Sequence, residues 1–266
     1  MSLADALRAG PGRVNILTID LERIPGEVTM DVWEPRDFQR INYVHPDKWT
    51  RLPSTLCFTA KWYDRARPIF VAAWDNPDDP YHCARAAWDL YCQADLVITY
   101  NGDKADNKWL ASDWAMADLG PPSPWKSVDL YKVARSAFSF ESKSLRHLCD
   151  RLGVENKDGH YDAAEAKRAA AGHRASQRNL RRYNTQDTIV TQGVADRLGP
   201  WIKGWPHVGV FTGQERCCFR CGSEDLRQDG YTATAVTLYA LLRCADCGAW
   251  NRLNHRKGNV TTRAAR

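Results

Sequence analysis

The sequence has no apolar run that approaches the roughly 20 residues of a membrane span, which excludes a helical integral membrane protein. The first stretch, MSLADALRAGPGR, has no apolar centre of the kind a secretory signal needs, so the expected location is the cytoplasm. Internal repeats of about 20 residues or more are absent, and with them a repeat architecture. A paired-cysteine framework is missing as well. The nine cysteines are an odd number: Cys57, Cys83, Cys92 and Cys149 are scattered singly, while Cys217, Cys218, Cys221, Cys244 and Cys247 crowd together, which favours metal over disulfides. An excess of either charge is absent over most of the chain. Residues 203–266 hold 10 of the 37 Lys and Arg and 5 of the 32 Asp and Glu, leaving 27 of each upstream, so the formal net charge of +5 resides in the C-terminal part. A basic module of this kind suits a polyanionic partner, or serves solubility.

What is present suffices for one substantial core and a small second module, since 44% of the 266 residues are hydrophobic. The segments VNILTIDLE, STLCFTAKWY, RPIFVAAW and ADLVITYNG are apolar, β-branched or aromatic and bounded by polar turns, and they read as strands. DPYHCARAAWDLYCQA and ADNKWLASDWAMADLG have helical spacing, the second stopping at Gly120 before PPSP. SKSLRHLCDRLG sets Leu145, Leu148 and Leu152 on one helical face, and RASQRNLRRYNTQDTIVTQGVADRLG reads as one long helix. Strands first, then strand–helix alternation, predict an α/β fold with a mixed sheet and helices packed on its faces. GPWIKGWPHVGVFTG breaks the pattern with Gly and Pro. The expected organisation is therefore a core domain over residues 1–200, a linker over 201–215, a cysteine module over 216–255 and a basic flexible tail over 256–266.

Within NILTIDLERIPG two carboxylates interrupt an apolar strand. Asp20 and Glu22 share one face while Ile19 and Leu21 point the other way. Two like charges side by side are costly unless a cation or proton neutralises them, and an oxygen-rich cluster suits Mg²⁺ or Mn²⁺. A strand that ends at Asp20, with Glu22 solvated, is the plain alternative. Two further acids shift the balance. Asp106 falls in the first turn of the helix after ADLVITYNG, beside the sheet edge, where a helix-dipole acid is the alternative. Tyr183 and Asp187 stand four apart on the long helix, on the face that carries Leu180, Val190 and Val194, so Asp187 points inward. Asp103 and Asp113 lie near Asp106 but off this pattern.

IDLE, YNGDKAD and YNTQD, in this order and at these separations, resemble the three motifs of the DnaQ-like 3′–5′ exonucleases of the DEDD superfamily, and the Tyr-x-x-x-Asp form of the third points to the tyrosine branch. CFTAKWY, PPSPWKSVDLYKVAR, SKSLRHLCDRLG and the cysteine module extend the resemblance to phage-encoded ribonuclease H-like nucleases and to the proofreading domains of family B polymerases. It is thinnest from Val154 to Ser176, and Ala105 stands where many members have Phe. The resemblance implies a ribonuclease H-like mixed sheet flanked by helices, and a divalent-metal-dependent 3′–5′ exonuclease that hydrolyses single-stranded DNA with two Mg²⁺ or Mn²⁺. It further implies that Asp20 bridges both ions, that Glu22 and Asp187 complete the site holding the attacking water, that Asp106 supports the second ion, and that Tyr183 orients the nucleophile. Asn101 would contact the terminal nucleotide and Lys143 a phosphate; capping and surface roles are the alternatives. RNA as the substrate, or a non-catalytic nucleic-acid-binding or recombination accessory role, stays open at this point. The implied setting is a bacterial or phage-infected cell, with a replication or recombination protein as partner and no membrane.

CFRCG and CADCG each supply Cys-x-x-Cys-Gly, 22 residues apart, around the strand-like YTATAVTLYALLRC. Two matched knuckles predict a zinc ribbon with one structural Zn²⁺ on Cys218, Cys221, Cys244 and Cys247, and Cys217 as a bystander. A module of this size buries too little apolar surface to fold without the metal. Arg216, Arg220, Arg227, Arg243, Arg252, Arg256 and Lys257, interleaved with Tyr231, Tyr239 and Trp250, suit nucleic-acid backbone and base stacking, Arg220 and Arg243 foremost; protein docking is the alternative.

Overall fold

The computed structural model describes residues 14–34, 36, 41–155, 161–205 and 207–263; the MSLADALRAGPGR stretch and the last three residues of the expected tail lie outside them. The centre is a five-stranded sheet in the order β5-β4-β1-β6-β7, formed by β1 (Ile16–Ile24), β4 (Ser54–Trp62), β5 (Ile69–Ala72), β6 (Leu96–Thr99) and β7 (Lys126–Asp129). β4 runs antiparallel to β1 and β5 to β4, whereas β6 is parallel to β1 and β7 to β6. This is the mixed sheet expected. A short pair, β2 (Glu27–Val28) with β3 (Trp49–Arg51), bridges β1 and β4 in the chain.

Alternation along β1 divides the core in two. Leu17, Ile19 and Leu21 pack with Phe58, Trp62, Leu110 and Trp114 beneath α1 (His82–Tyr91) and α2 (Asp106–Met116). Ile16, on the opposite face, joins Leu96, Ile98, Val128, Val190, Val194 and Leu198, the last three from the long helix near the end of the core. Between these elements the chain forms α3 (Leu130–Ala137), α4 (Leu145–Leu152) and α5 (Ala163–Ala170). α6 (Arg174–Leu198) then crosses β1 and β4. Its buried stripe runs from Ser176 and Leu180 through Asn184, Asp187, Thr188 and Thr191 to Val194, Ala195 and Leu198, so the inward face is polar around Asp187 and apolar toward its C-terminal end.

Two boundaries differ from expectation. The segment 201–215 is packed rather than open: Ile202, Trp205 and Val208 are buried, and α7 (Val208–Thr212) forms within it. Cys218, Cys221, Cys244 and Ala249 belong to the same core cluster as Val194 and Leu198, so the cysteine module shares a core with the sheet domain. The first four residues of the tail expected from residue 256 are strand instead. The module is an antiparallel sheet of β8 (Leu226–Ala233), β9 (Thr237–Cys244) and β10 (Trp250–Asn259), and β10 continues because Arg256, Gly258 and Asn259 pair with Tyr239, Leu238 and Thr237. No helix among the described residues is long and apolar enough to cross a membrane.

Candidate active site

The parallel pairing of β1 with β6 ends at Thr18 opposite Ile98, while antiparallel pairing with β4 continues, placing Asp20 opposite Thr59 and Glu22 opposite Cys57. Asp20 and Glu22 thus stand on β1 beyond its last partner in β6. A register shift between Glu22 and Arg23 interrupts the ladder directly after them, before it resumes at Arg23 opposite Thr55. α6 brings the third acid. Asp187, 9% exposed, lies with its carboxylate so near that ligand oxygens of Asp20, Glu22 and Asp187 all fall within 4.8 Å of one another. Carboxylates at that spacing match the donor set and hardness of Mg²⁺ or Mn²⁺, and three anions so close call for a cation.

Side chains around the acids fix their positions. Asn184, fully buried, donates from Nδ2 to the Asp20 carboxylate at 2.7 Å and to the Asp20 carbonyl at 3.1 Å. One turn on, the Thr188 hydroxyl donates to the Thr59 carbonyl at 3.1 Å, joining α6 to the strand opposite Asp20. Tyr183 hydrogen-bonds Asp187, and its phenol is pushed up from its ordinary pKa by burial first and then by the negative charge of Asp187, Glu22 and Asp20. The ring of Tyr161 lies 5.8 Å from that of Tyr183, and its hydroxyl donates to the Arg23 carbonyl at 2.7 Å. Burial and then the Glu22 charge raise the Tyr161 phenol too, so two neutral tyrosines wall the acids on the α6 side.

Asp106 is brought less close. It opens α2 at 6% exposure but is not a member of the group whose ligand atoms lie within 4.8 Å. Burial, then the charge of Asp129, raise its pKa to about 6 against the opposing pull of a backbone hydrogen bond and, less, of Arg23. The Arg23 guanidinium donates to the Pro53 carbonyl at 2.9 Å and lies 5.0 Å over the ring of Trp109, one helical turn from Asp106. Asn101 occupies the turn between β6 and α2 with φ +66°, held by its N–H on the Asp129 carboxylate at 2.8 Å. Lys143 turns its ammonium onto the Phe140 carbonyl while its own carbonyl accepts from Tyr100. The two acids off the pattern are structural: Asp103 pairs with Lys132 at 2.7 Å, and Asp113 accepts from Thr55 at 2.7 Å.

In the ribbon, Cys218, Cys221, Cys244 and Cys247 converge, with Sγ–Sγ distances of 3.6 Å for Cys218 to Cys247 and for Cys221 to Cys244. A tetrahedron with Zn–S bonds of ~2.3 Å has edges of ~3.8 Å, so the four thiols fit the metal. Gly222 and Gly248 take φ of +73° and +71°, which is why each knuckle reads Cys-x-x-Cys-Gly. Cys217 stands outside the group, its thiol on the Gln214 carbonyl.

Arg220 departs from the nucleic-acid contact expected of it. It is 4% exposed, lies 5.8 Å over the Trp205 ring, and donates to the carbonyls of Ala195 and Asp196 at 3.3 and 3.2 Å. Those are last-turn carbonyls of α6, so the guanidinium caps that helix from the ribbon. A side chain on Gly199 would collide with it, its Cβ lying 1.6 Å from an Arg220 nitrogen. Arg243, in contrast, is exposed on β9.

Asn184, Tyr161 and Arg23 had not been singled out from sequence. Asn184 was detectable as a polar residue on the inward stripe of the long helix, one position past Tyr183. Tyr161 falls where the motif resemblance is thinnest.

Comparison with known proteins adds three findings. The family RNase_H_2, described as RNase_H superfamily, matches residues 55–199, more than half of the chain. A search of curated proteins returns no match. Among solved structures, the family B DNA polymerase from the hyperthermophilic archaeon Pyrobaculum calidifontis is similar at 16% identity and a TM-score of 0.49, over 71% of this chain and 25% of the polymerase.

Proposed function

The chain belongs to the RNase H superfamily, and on that premise we propose that it is a divalent-metal-dependent 3′–5′ exonuclease acting on single-stranded DNA. The observation that carries the reading is the convergence of Asp20 and Glu22 from β1 with Asp187 from α6, under Tyr183. The family match begins at residue 55, after β1, so the two β1 acids are an independent sign of the same chemistry.

Asp20, Glu22 and Asp187 would hold the metal, with Asp106 as the additional carboxylate for a second ion. Bound divalent cations neutralise charge building on the phosphate in the transition state and act as Lewis acids. The residues of the chain supply the rest. Asn184 keeps the Asp20 carboxylate turned toward α6. Tyr183, held neutral by burial and by the surrounding acids, acts as a donor and orienting group and not as a base. Support for the 3′–5′ polarity and the preference for single strands comes from the resemblance of IDLE, YNGDKAD and YNTQD to the three motifs of the DnaQ-like exonucleases.

A second reading, a protein that binds nucleic acid without cutting it, draws on the position of Asp106 outside the close acidic group. One assay separates them. End-labelled single-stranded DNA and RNA, each labelled at either end, are incubated with Mg²⁺ or Mn²⁺ and the full chain or its Asp187→Asn variant. Stepwise shortening of the 5′-labelled DNA, lost in Asp187→Asn, is expected. Intact strands under every condition would establish the binding reading, and preferential shortening of RNA would make the protein an exoribonuclease.

A further inference from the structure

The ribbon carries a second surface that shares no residue with the carboxylate site. In β9 the side chains of Ala240, Leu242 and Cys244 are buried, so Tyr239, Leu241 and Arg243 occupy the outward face. Cross-strand register adds Arg227 and Trp250 beside Arg243, Arg252 beside Leu241, and Arg256 beside Tyr239. The cations are layered on the rings: Arg252 lies 4.3 Å over Tyr239, and Arg243 5.6 Å over Trp250. Trp250 is 48% exposed, and Arg243, Arg252 and Arg256 are exposed. Arg227 is already paired with Asp225 at 3.2 Å, so the uncompensated charge of the face comes from the other three arginines. Of the two acids within residues 226–259, Asp246 sits in the knuckle between β9 and β10, and Asp229 shares a hollow with Arg227 and Arg243 at one end of the face.

We propose that this face binds single-stranded nucleic acid, with bases stacked on Trp250 and Tyr239 and phosphates held by Arg243, Arg252 and Arg256. The chemistry is complementary. Rings and planar guanidinium groups on a sheet offer stacking platforms to unpaired bases of any identity, and three arginines with only Asp229 close to one of them attract a polyanion. A protein partner would need either acidic side chains to answer the arginines or a broad apolar patch, and the face offers Leu241 and Trp250 separated by charge. The proposal rests on the nuclease reading and gives that enzyme an anchor for the strand beyond the few nucleotides at the carboxylates.

The test measures binding apart from cleavage. The full chain carrying Asp187→Asn, which keeps the strand intact, is titrated into a fluorescent oligothymidylate of about 20 nucleotides, read by anisotropy across a salt series. In that background Arg243→Gln/Arg252→Gln/Arg256→Gln is expected to bind at least tenfold more weakly. Its log affinity against log salt should be flatter by about 2, since each phosphate neutralised in a single strand contributes ~0.7. Trp250→Ala is expected to lose fivefold or more with the salt slope unchanged, the signature of a stacking contact. Zinc content is measured throughout. Arg256→Gln alone, opposite Tyr239 and well along β9 from Cys244, serves if the triple variant releases its metal. Unchanged affinity and slope in zinc-loaded variants would overturn the proposal, as would equal affinity for a duplex of the same length. The two readings fail separately. If the unsubstituted chain cuts while the ribbon variants bind normally, the nuclease stands and the face falls; if the ribbon variants lose binding while the unsubstituted chain cuts nothing, the reverse holds.

Discussion

Replacing Asp106 by Asn should stabilise the fold while damaging the activity. The carboxyl is 6% exposed, and burial with the nearby Asp129 charge lifts its pKa from 3.8 to about 6. A raised carboxylate pKa means that the folded state holds the proton more tightly than the unfolded chain. The favourable contribution is therefore complete below about pH 4 and is lost as pH rises through 6. At neutral pH the ionised group costs the fold about 3 kcal/mol, from roughly two pKa units at ~1.4 kcal/mol each. Asn removes the charge and keeps the shape, so Asp106→Asn should gain about 2–3 kcal/mol at pH 7.5. That corresponds to a Tm rise of roughly 5–10 °C in a chain of this size. The assay is thermal unfolding of zinc-loaded protein without Mg²⁺ or Mn²⁺ from pH 4 to pH 8. The gain should shrink steadily below pH 6 and vanish near pH 4. Adding Mn²⁺ should narrow it at pH 7.5, because the parent alone recovers a counter-charge. A variant less stable than the parent at pH 7.5, or a gain that does not vary with pH, would refute the electrostatic reasoning.

Tyr183→Phe keeps the ring against Tyr161 but deletes the hydroxyl on Asp187, so turnover should fall at least tenfold with Tm changed by only a few degrees; unchanged turnover at saturating substrate would remove the phenol from the chemistry. Cys218→Ser should release zinc and lower the stability of the sheet domain along with the ribbon, because the thiolate knuckles lie in one core with Val194 and Leu198; calorimetry should show one shifted transition. A variant that melts its ribbon alone and leaves the Tm of the rest in place would contradict the shared core.

Much of the site was legible because its residues break local patterns. Asp20 and Glu22 are conspicuous in an apolar strand, Asp187 in an apolar helical stripe, and the two Cys-x-x-Cys-Gly knuckles carry their geometry in their spacing. What stayed hidden depends on tertiary context. β7 is four residues long and ends in the buried Asp129, so neither alternation nor an apolar run marks KSVD as a strand. α5 is built on alanines, of which Ala166 and Ala169 are buried against Leu180, and alanine carries little periodic signal. Arg220 looked like its neighbours in a basic module, and only the free carbonyls at the end of α6 explain why this arginine is inside. Asp106 is placed by the turn at Asn101, whose left-handed conformation is set by Asp129 from a strand that sequence patterning did not mark.

The Arg220 cap has a bearing on how freely the ribbon could be exchanged. A module joined by an open tether can be swapped or lost with little effect on its host. Here the ribbon finishes the helix that carries Tyr183, Asn184 and Asp187, and removing it would leave the carbonyls of Ala195 and Asp196 and the apolar side of Leu198 without a cover. Any replacement would have to bring its own cation to that helix end and find a glycine waiting at position 199. Occupancy of the four-cysteine site and the placing of the acidic group are thereby tied together through one helix: loosening the knuckles would loosen the end of the element that carries Asp187.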